Sequence, residues 1–141
     1  MKPRIVLDTN VLVPALRSNA GASFRLLSLI DSKRFILCTS VPLVLEYEAA
    51  TKDDLKTSGL TATDIDDLLD YLCLRSEHFK VYYLWRPFLR DPKDDMVLEL
   101  AVAAGAGRIV TYNRRDFQGC QQFKIQACTP KAFLQEIGEL V

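Results

Sequence analysis

Short β-branched runs alternate with stretches of helical periodicity along almost the whole of this chain, and each run stops abruptly at an acid or a turn residue. Residues 4–7 (RIVL) break off at Asp8-Thr9-Asn10, residues 35–39 (FILCT) at Ser40, and residues 108–111 (RIVT) shortly before a loop over residues 113–122. Residues 80–85 (KVYYLW) and 123–127 read as two further strands. Residues 11–16 and 23–30 suggest two helices, and Ser40 with Pro42 supplies a cap and a first-turn proline for a third, carrying Val44, Leu45, Glu46 and Glu48 towards Thr51. Over residues 61–79, Ile65, Leu68, Leu69 and Leu72 share one helical stripe, with Asp64, Asp66, Asp67 and Asp70 off it. Asp94 is placed to cap a helix that buries Val97, Leu100, Ala101 and Ala104 and ends at Gly105; Thr129 and Pro130 open the last helix. Such alternation indicates the α/β class: a three-layer α/β/α sandwich around a parallel sheet of about four to five strands, with ligands gathered at the strands' carboxyl ends.

The length of 141 residues suits a single domain over residues 1–141, and a hydrophobic fraction of 49% excludes disorder for most of it. Lysine plus arginine and aspartate plus glutamate both total 18, so any affinity for nucleic acid must be local. Residues 46–77 hold nine acids and three bases, whereas residues 78–115 hold seven bases and four acids. No window is apolar enough for a membrane span, and the N-terminus lacks a signal-peptide pattern, so a cytoplasmic protein is expected. The scattered Cys38, Cys73, Cys120 and Cys128 and the lone His78 supply zinc poorly and read as reduced thiols and an isolated imidazole.

The informative residues are acidic. Asp8 directly follows the first strand, Asp116 follows the strand ending at Thr111, Glu46 lies about two turns into the helix that starts at Ser40, and Asp94 opens another helix. All four are expected at one rim. Carboxylates held together repel and drive up one another's pKa unless a cation neutralises them, and an all-oxygen set without histidine or thiolate suits Mg²⁺ or Mn²⁺. Such an ion, with phosphate oxygens completing its shell, fits phosphodiester hydrolysis without a side-chain nucleophile.

The run IVLDTNVLV, then SVPLVLEYE, then DPKDDMVLELAVAAGAGRIVT and finally NRRDF together resemble the four acidic blocks of the PIN-domain nucleases, in their usual order and over nearly the whole chain. The chain looks most like the bacterial branch of toxins in toxin-antitoxin modules. The resemblance implies a Mg²⁺- or Mn²⁺-dependent endoribonuclease acting on RNA, a cognate antitoxin and a homodimer. Carried over block by block, it assigns metal-binding and catalytic roles to Asp8, Glu46, Asp94 and Asp116. Asp94 is preferred to its neighbour because it lies eleven residues before Gly105; Asp95 remains a further candidate ligand. So does Asn113, which stands where many members carry an aspartate. Asn10, Arg114 and Arg115 are candidate substrate contacts.

Each block alone has a plainer reading. Asp8-Thr9-Asn10 is otherwise a strand-to-helix turn, Asp94 a helix cap, Asp116 a loop residue, and the aspartate-rich helix a solvated face. Glu46 is harder to explain so, because a carboxylate beside core residues is costly unless paired or ligated. Arg86, Arg90, Lys93, Arg114 and Arg115 flank the expected site and suit phosphate contacts; Tyr82, Tyr83 and Trp85 suit strand packing. Gly105-Ala106-Gly107 lies after a helix and before a strand, the reverse of a dinucleotide-binding turn. Asn10 replaces the second acid of a haloacid-dehalogenase-type phosphotransferase. The rival from another class is a catalytically silent PIN-like module that binds RNA or protein.

Overall fold

The computed structural model describes residues 2–81 and 88–140. Five strands form one parallel sheet: β1 (Arg4–Leu7), β2 (Ile36–Thr39), β3 (Glu77–His78), β4 (Arg108–Val110) and β5 (Gln126–Cys128), in the order β3-β2-β1-β4-β5. Among the described residues the helices are α1 (Thr9–Arg17), α2 (Ala22–Ser28), α3 (Val41–Asp53), α4 (Leu55–Ser58), α5 (Ala62–Arg75), α6 (Pro92–Ala104) and α7 (Pro130–Glu136). This is the expected α/β sandwich.

Parallel strands need crossovers, and the polarity of the chain's runs shows how they are covered. Ile5, Val6 and Leu7 are each at most 1% exposed, as a strand covered on both faces must be. Helix α6 lies across β1, β2 and β4, while α1 packs against both α2 and α3, with α5 on α3 and α7 on α2. The chain steps outward from β1 to β2 and β3, then returns to β4 on the other side of β1. Right-handed crossovers in opposite directions bring helices to opposite faces and open a crevice where the winding reverses. Here it opens beyond Leu7 and Val110.

Several expectations shift. The helix expected over residues 61–79 stops at Arg75, and Glu77–His78 pairs with β2 as β3 instead. An exposed two-residue strand has no apolar alternation to announce it. The strand expected over residues 80–85 includes Lys80 and Val81, which belong to no element, and residues 82–85 lie outside the described residues, as does Arg86. The polar loop of residues 113–122 holds one 3-10 turn, Arg114–Phe117, and most of a second, Cys120–Phe123; left-handed Lys124 (φ 62°) delays the last strand to Gln126. Helix α6 is capped by Asp91, whose side chain accepts from the Lys93 amide at 2.9 Å, so Asp94 falls in the first turn. Pro92 explains this, since proline is at home in a helix's first turn, where its missing N–H costs nothing.

Candidate active site

Asp8 sits where β1 hands over to α1. Its amide donates to the Val110 carbonyl at 2.9 Å, and its Oδ1 accepts from the Thr9 amide at 2.8 Å. Its Oδ2 accepts from the hydroxyl of buried Thr111 at 2.8 Å. That hydroxyl also accepts from Asn10 Nδ2 at 3.2 Å and the Asn113 amide at 3.0 Å, and Asp8 Oδ2 is a closer acceptor for its one proton than Asn10 Oδ1 at 3.5 Å. Asn10 Oδ1 in turn accepts from the Tyr112 amide at 3.1 Å. Asn10 thus stitches the end of β4 to the start of α1.

Glu46 is delivered by its neighbour. The Tyr47 hydroxyl, fully buried, donates to the Leu7 carbonyl at 2.6 Å and fixes α3 against the last residue of β1. Burial pushes the Tyr47 phenol well above its usual range, so it remains a donor. Glu46 is not wedged among core side chains as its sequence neighbours suggested, because Leu45 is 58% exposed. Its carboxylate instead meets Lys93 Nζ at 3.2 Å. Asp94 comes from the first turn of α6, and Asp116 from the 3-10 turn anchored by buried Phe117.

These side chains line one pocket of ≈ 500 Å³, with Asp8, Glu46, Asp91, Asp94 and Asp116 supplying carboxylates and Asn10, Asn113 and Lys93 beside them. The crowding has an electrostatic consequence. Burial first, and then Asp8, Asp116, Asp91 and Asp95, push Asp94 up to about 7. Burial also raises Asp8, against the hydrogen bonds from Thr111 and Thr9 and with help from Asp116 and Asp91. Among the described residues no three acidic, histidine or cysteine side chains form a ready-made cage for an ion. The carboxylates share a pocket without closing on a common point. The lining offers oxygen donors and neither histidine nor cysteine, which fits Mg²⁺ or Mn²⁺ and not zinc.

Of the adjacent acids, Asp94 faces the pocket and Asp95 does not. Asp95 is 2% exposed and its Oδ1 accepts from the Leu89 amide at 2.8 Å, holding the chain that leads into α6. Arg114 and Arg115 line a neighbouring groove that shares Asn113 and Asp116 with the acidic pocket. Sequence reasoning missed Asp91 as a site residue. The Asp-Pro pair was the available signal, since Pro92 in the first turn makes Asp91 the cap and turns its carboxylate towards the helix start that also presents Asp94.

Residues 4–115 match the family model of the PIN domain. The match spans the sheet through β4 and the elements carrying Asp8, Glu46 and Asp94, and ends one residue before Asp116. No curated protein is matched by the chain.

Proposed function

The chain belongs to the PIN-domain family, whose members are generally nucleases, and on that premise we propose that it hydrolyses RNA phosphodiester bonds with Mg²⁺ or Mn²⁺ held by Asp8, Glu46, Asp94 and Asp116. One observation carries the reading: four carboxylates from four separate parts of the chain line one pocket, where burial first and the neighbouring carboxylates second push Asp94 up to about 7. When bound, such an ion supplies Lewis acidity towards a phosphoryl oxygen and makes adjacent water more acidic. The protein's part is orientation. Each Asp8 oxygen accepts one hydrogen bond, from Thr9 or Thr111, and keeps lone-pair capacity for a cation. Glu46, now paired with Lys93 at 3.2 Å, would be one of the residues to hold the ion, and Lys93 would then be available at the rim for a phosphate. Arg114 and Arg115 hold phosphates further along the strand.

Titration calorimetry with Mn²⁺, paired with cleavage of single-stranded RNA, tests this. The wild type should bind and cut, and Asp8→Asn should weaken Mn²⁺ binding at least tenfold and abolish cutting. No binding, or equal binding by the variant, would establish the silent module instead. The four-block resemblance extends the proposal to a cytoplasmic, homodimeric toxin restrained by an antitoxin; no described helix is long and apolar enough to cross a membrane. Co-purification of a small partner from the native host bears on that extension.

A further inference from the structure

Beside the acidic pocket lies a groove of ≈ 690 Å³ lined by Tyr112, Asn113, Arg114, Arg115, Asp116 and Gln118. Because Asn113 and Asp116 line both, a strand whose phosphate reaches the carboxylates continues into this groove without a gap. Its chemistry differs from that of the pocket. Arg4, Arg17, Arg25, Arg34, Arg75 and Arg108 each have a carboxylate partner. Arg114 and Arg115 have none among the described residues, although Asp116 follows directly in the chain. Two unpaired guanidiniums on the lip of an acidic pocket are available for an anionic ligand.

Tyr112 adds an aromatic face, 42% exposed, on a backbone that is held still. Its amide donates to Asn10 Oδ1 at 3.1 Å, and the residues on either side are tied through the Thr111 hydroxyl. An exposed ring on a fixed turn beside paired cations is the combination by which proteins hold unpaired nucleotides, stacking the base and clamping the phosphate. Gln118 offers an amide to a base edge in the same groove.

We propose that Tyr112, Arg114, Arg115 and Gln118 form a subsite for one unpaired nucleotide next to the cleaved phosphate, with its base stacked on the Tyr112 ring. The base beside the cut then has to leave its stack to reach the Tyr112 ring. This rests on the nuclease reading of the adjoining pocket.

The test uses the full chain with Ca²⁺ as the divalent ion and a short single-stranded RNA carrying 2-aminopurine, followed by anisotropy and fluorescence; RNA integrity is checked after each titration. The wild type should bind and quench the probe. Tyr112→Phe should keep both properties, while Tyr112→Ala and Tyr112→Leu should lose the quench and bind roughly tenfold more weakly. The same sequence as a duplex should give no quench. Unchanged affinity and quench in Tyr112→Ala, or equal quenching by the duplex, overturns the subsite. Cleavage by the wild type with Mn²⁺ is scored apart. RNA cut with no effect of Tyr112→Ala removes the subsite and leaves the nuclease, whereas a Tyr112-dependent quench without cutting keeps the subsite and removes the nuclease.

Discussion

Asp94 is the residue on which burial and the neighbouring carboxylates of the pocket act together. A carboxyl of an unfolded chain titrates near about 4, and in the folded chain Asp94 holds its proton up to about 7. A group whose folded pKa is raised favours the fold below its unfolded pKa, and that contribution is lost as pH rises through the folded value. The metal-free protein should therefore melt at a lower temperature at pH 7.5 than at pH 5.5. Asp94→Asn should flatten this dependence, and Mn²⁺ should raise the melting temperature more at pH 7.5, where the pocket is fully charged. Thermal melts in EDTA and in Mn²⁺ check it, and an Asp94→Asn profile parallel to the wild type would be the contrary result. Asp8 and Asp94 were legible in the sequence because they sit at a strand end and a helix start, positions that a parallel fold brings to one edge; Glu46, well inside α3, and Asp116, in the turn after β4, were placed by their distance from such ends. The choice between Asp94 and Asp95 rested on the resemblance alone, since one step along a helix turns a side chain by about 100°. Packing shows the difference: Asp95 spends an oxygen on the Leu89 amide.

Helix α6 shows how well ends can be read when local chemistry fixes them. Gly105 was read as its stop, and it is left-handed at φ 66°, with its amide donating to carbonyls of the last turn. A Cβ there would meet nothing within 4 Å, so Gly105→Ala carries a backbone penalty and no clash. The expected cost is about 1 kcal/mol. It should appear as a lower urea midpoint with an unchanged slope, and with Mn²⁺ affinity unaltered, because Gly105 stands at the far end of α6 from Asp94. A cost under a few tenths of a kcal/mol would mean that the cap does not set the end of the helix. Capping by Ser40 and Thr129 was equally readable: each accepts from the amide three residues on. Strand β3 was not, because Glu77 and His78 are exposed and only their pairing with Cys38 and Thr39 makes them a strand.

Across the whole molecule the charges cancel, and composition alone gives no reason for it to attract RNA. What composition cannot show is which cations are already spent. Ion pairing removes most described arginines from consideration and leaves Arg90, Arg114 and Arg115 without carboxylate partners among the described residues, Arg90 immediately before the pocket residue Asp91. Sequence placed these three near the site but could not tell them from the rest, since partners such as Glu139 for Arg25 lie more than a hundred residues away. A neutral protein that binds RNA through a few free guanidiniums should show a shallow salt dependence. Each phosphate contact on a single strand contributes a slope of about −0.7 to log K against log salt, so Arg114 and Arg115 together should supply about −1.4. Changing both to alanine should remove that share of the slope and weaken binding at low salt most. Mutating ion-paired Arg17 and Arg75, which line neither the pocket nor the groove, should leave the slope alone. If all four substitutions lowered it equally, RNA would be held by a diffuse field, and the groove beside the acids would have no special claim on it.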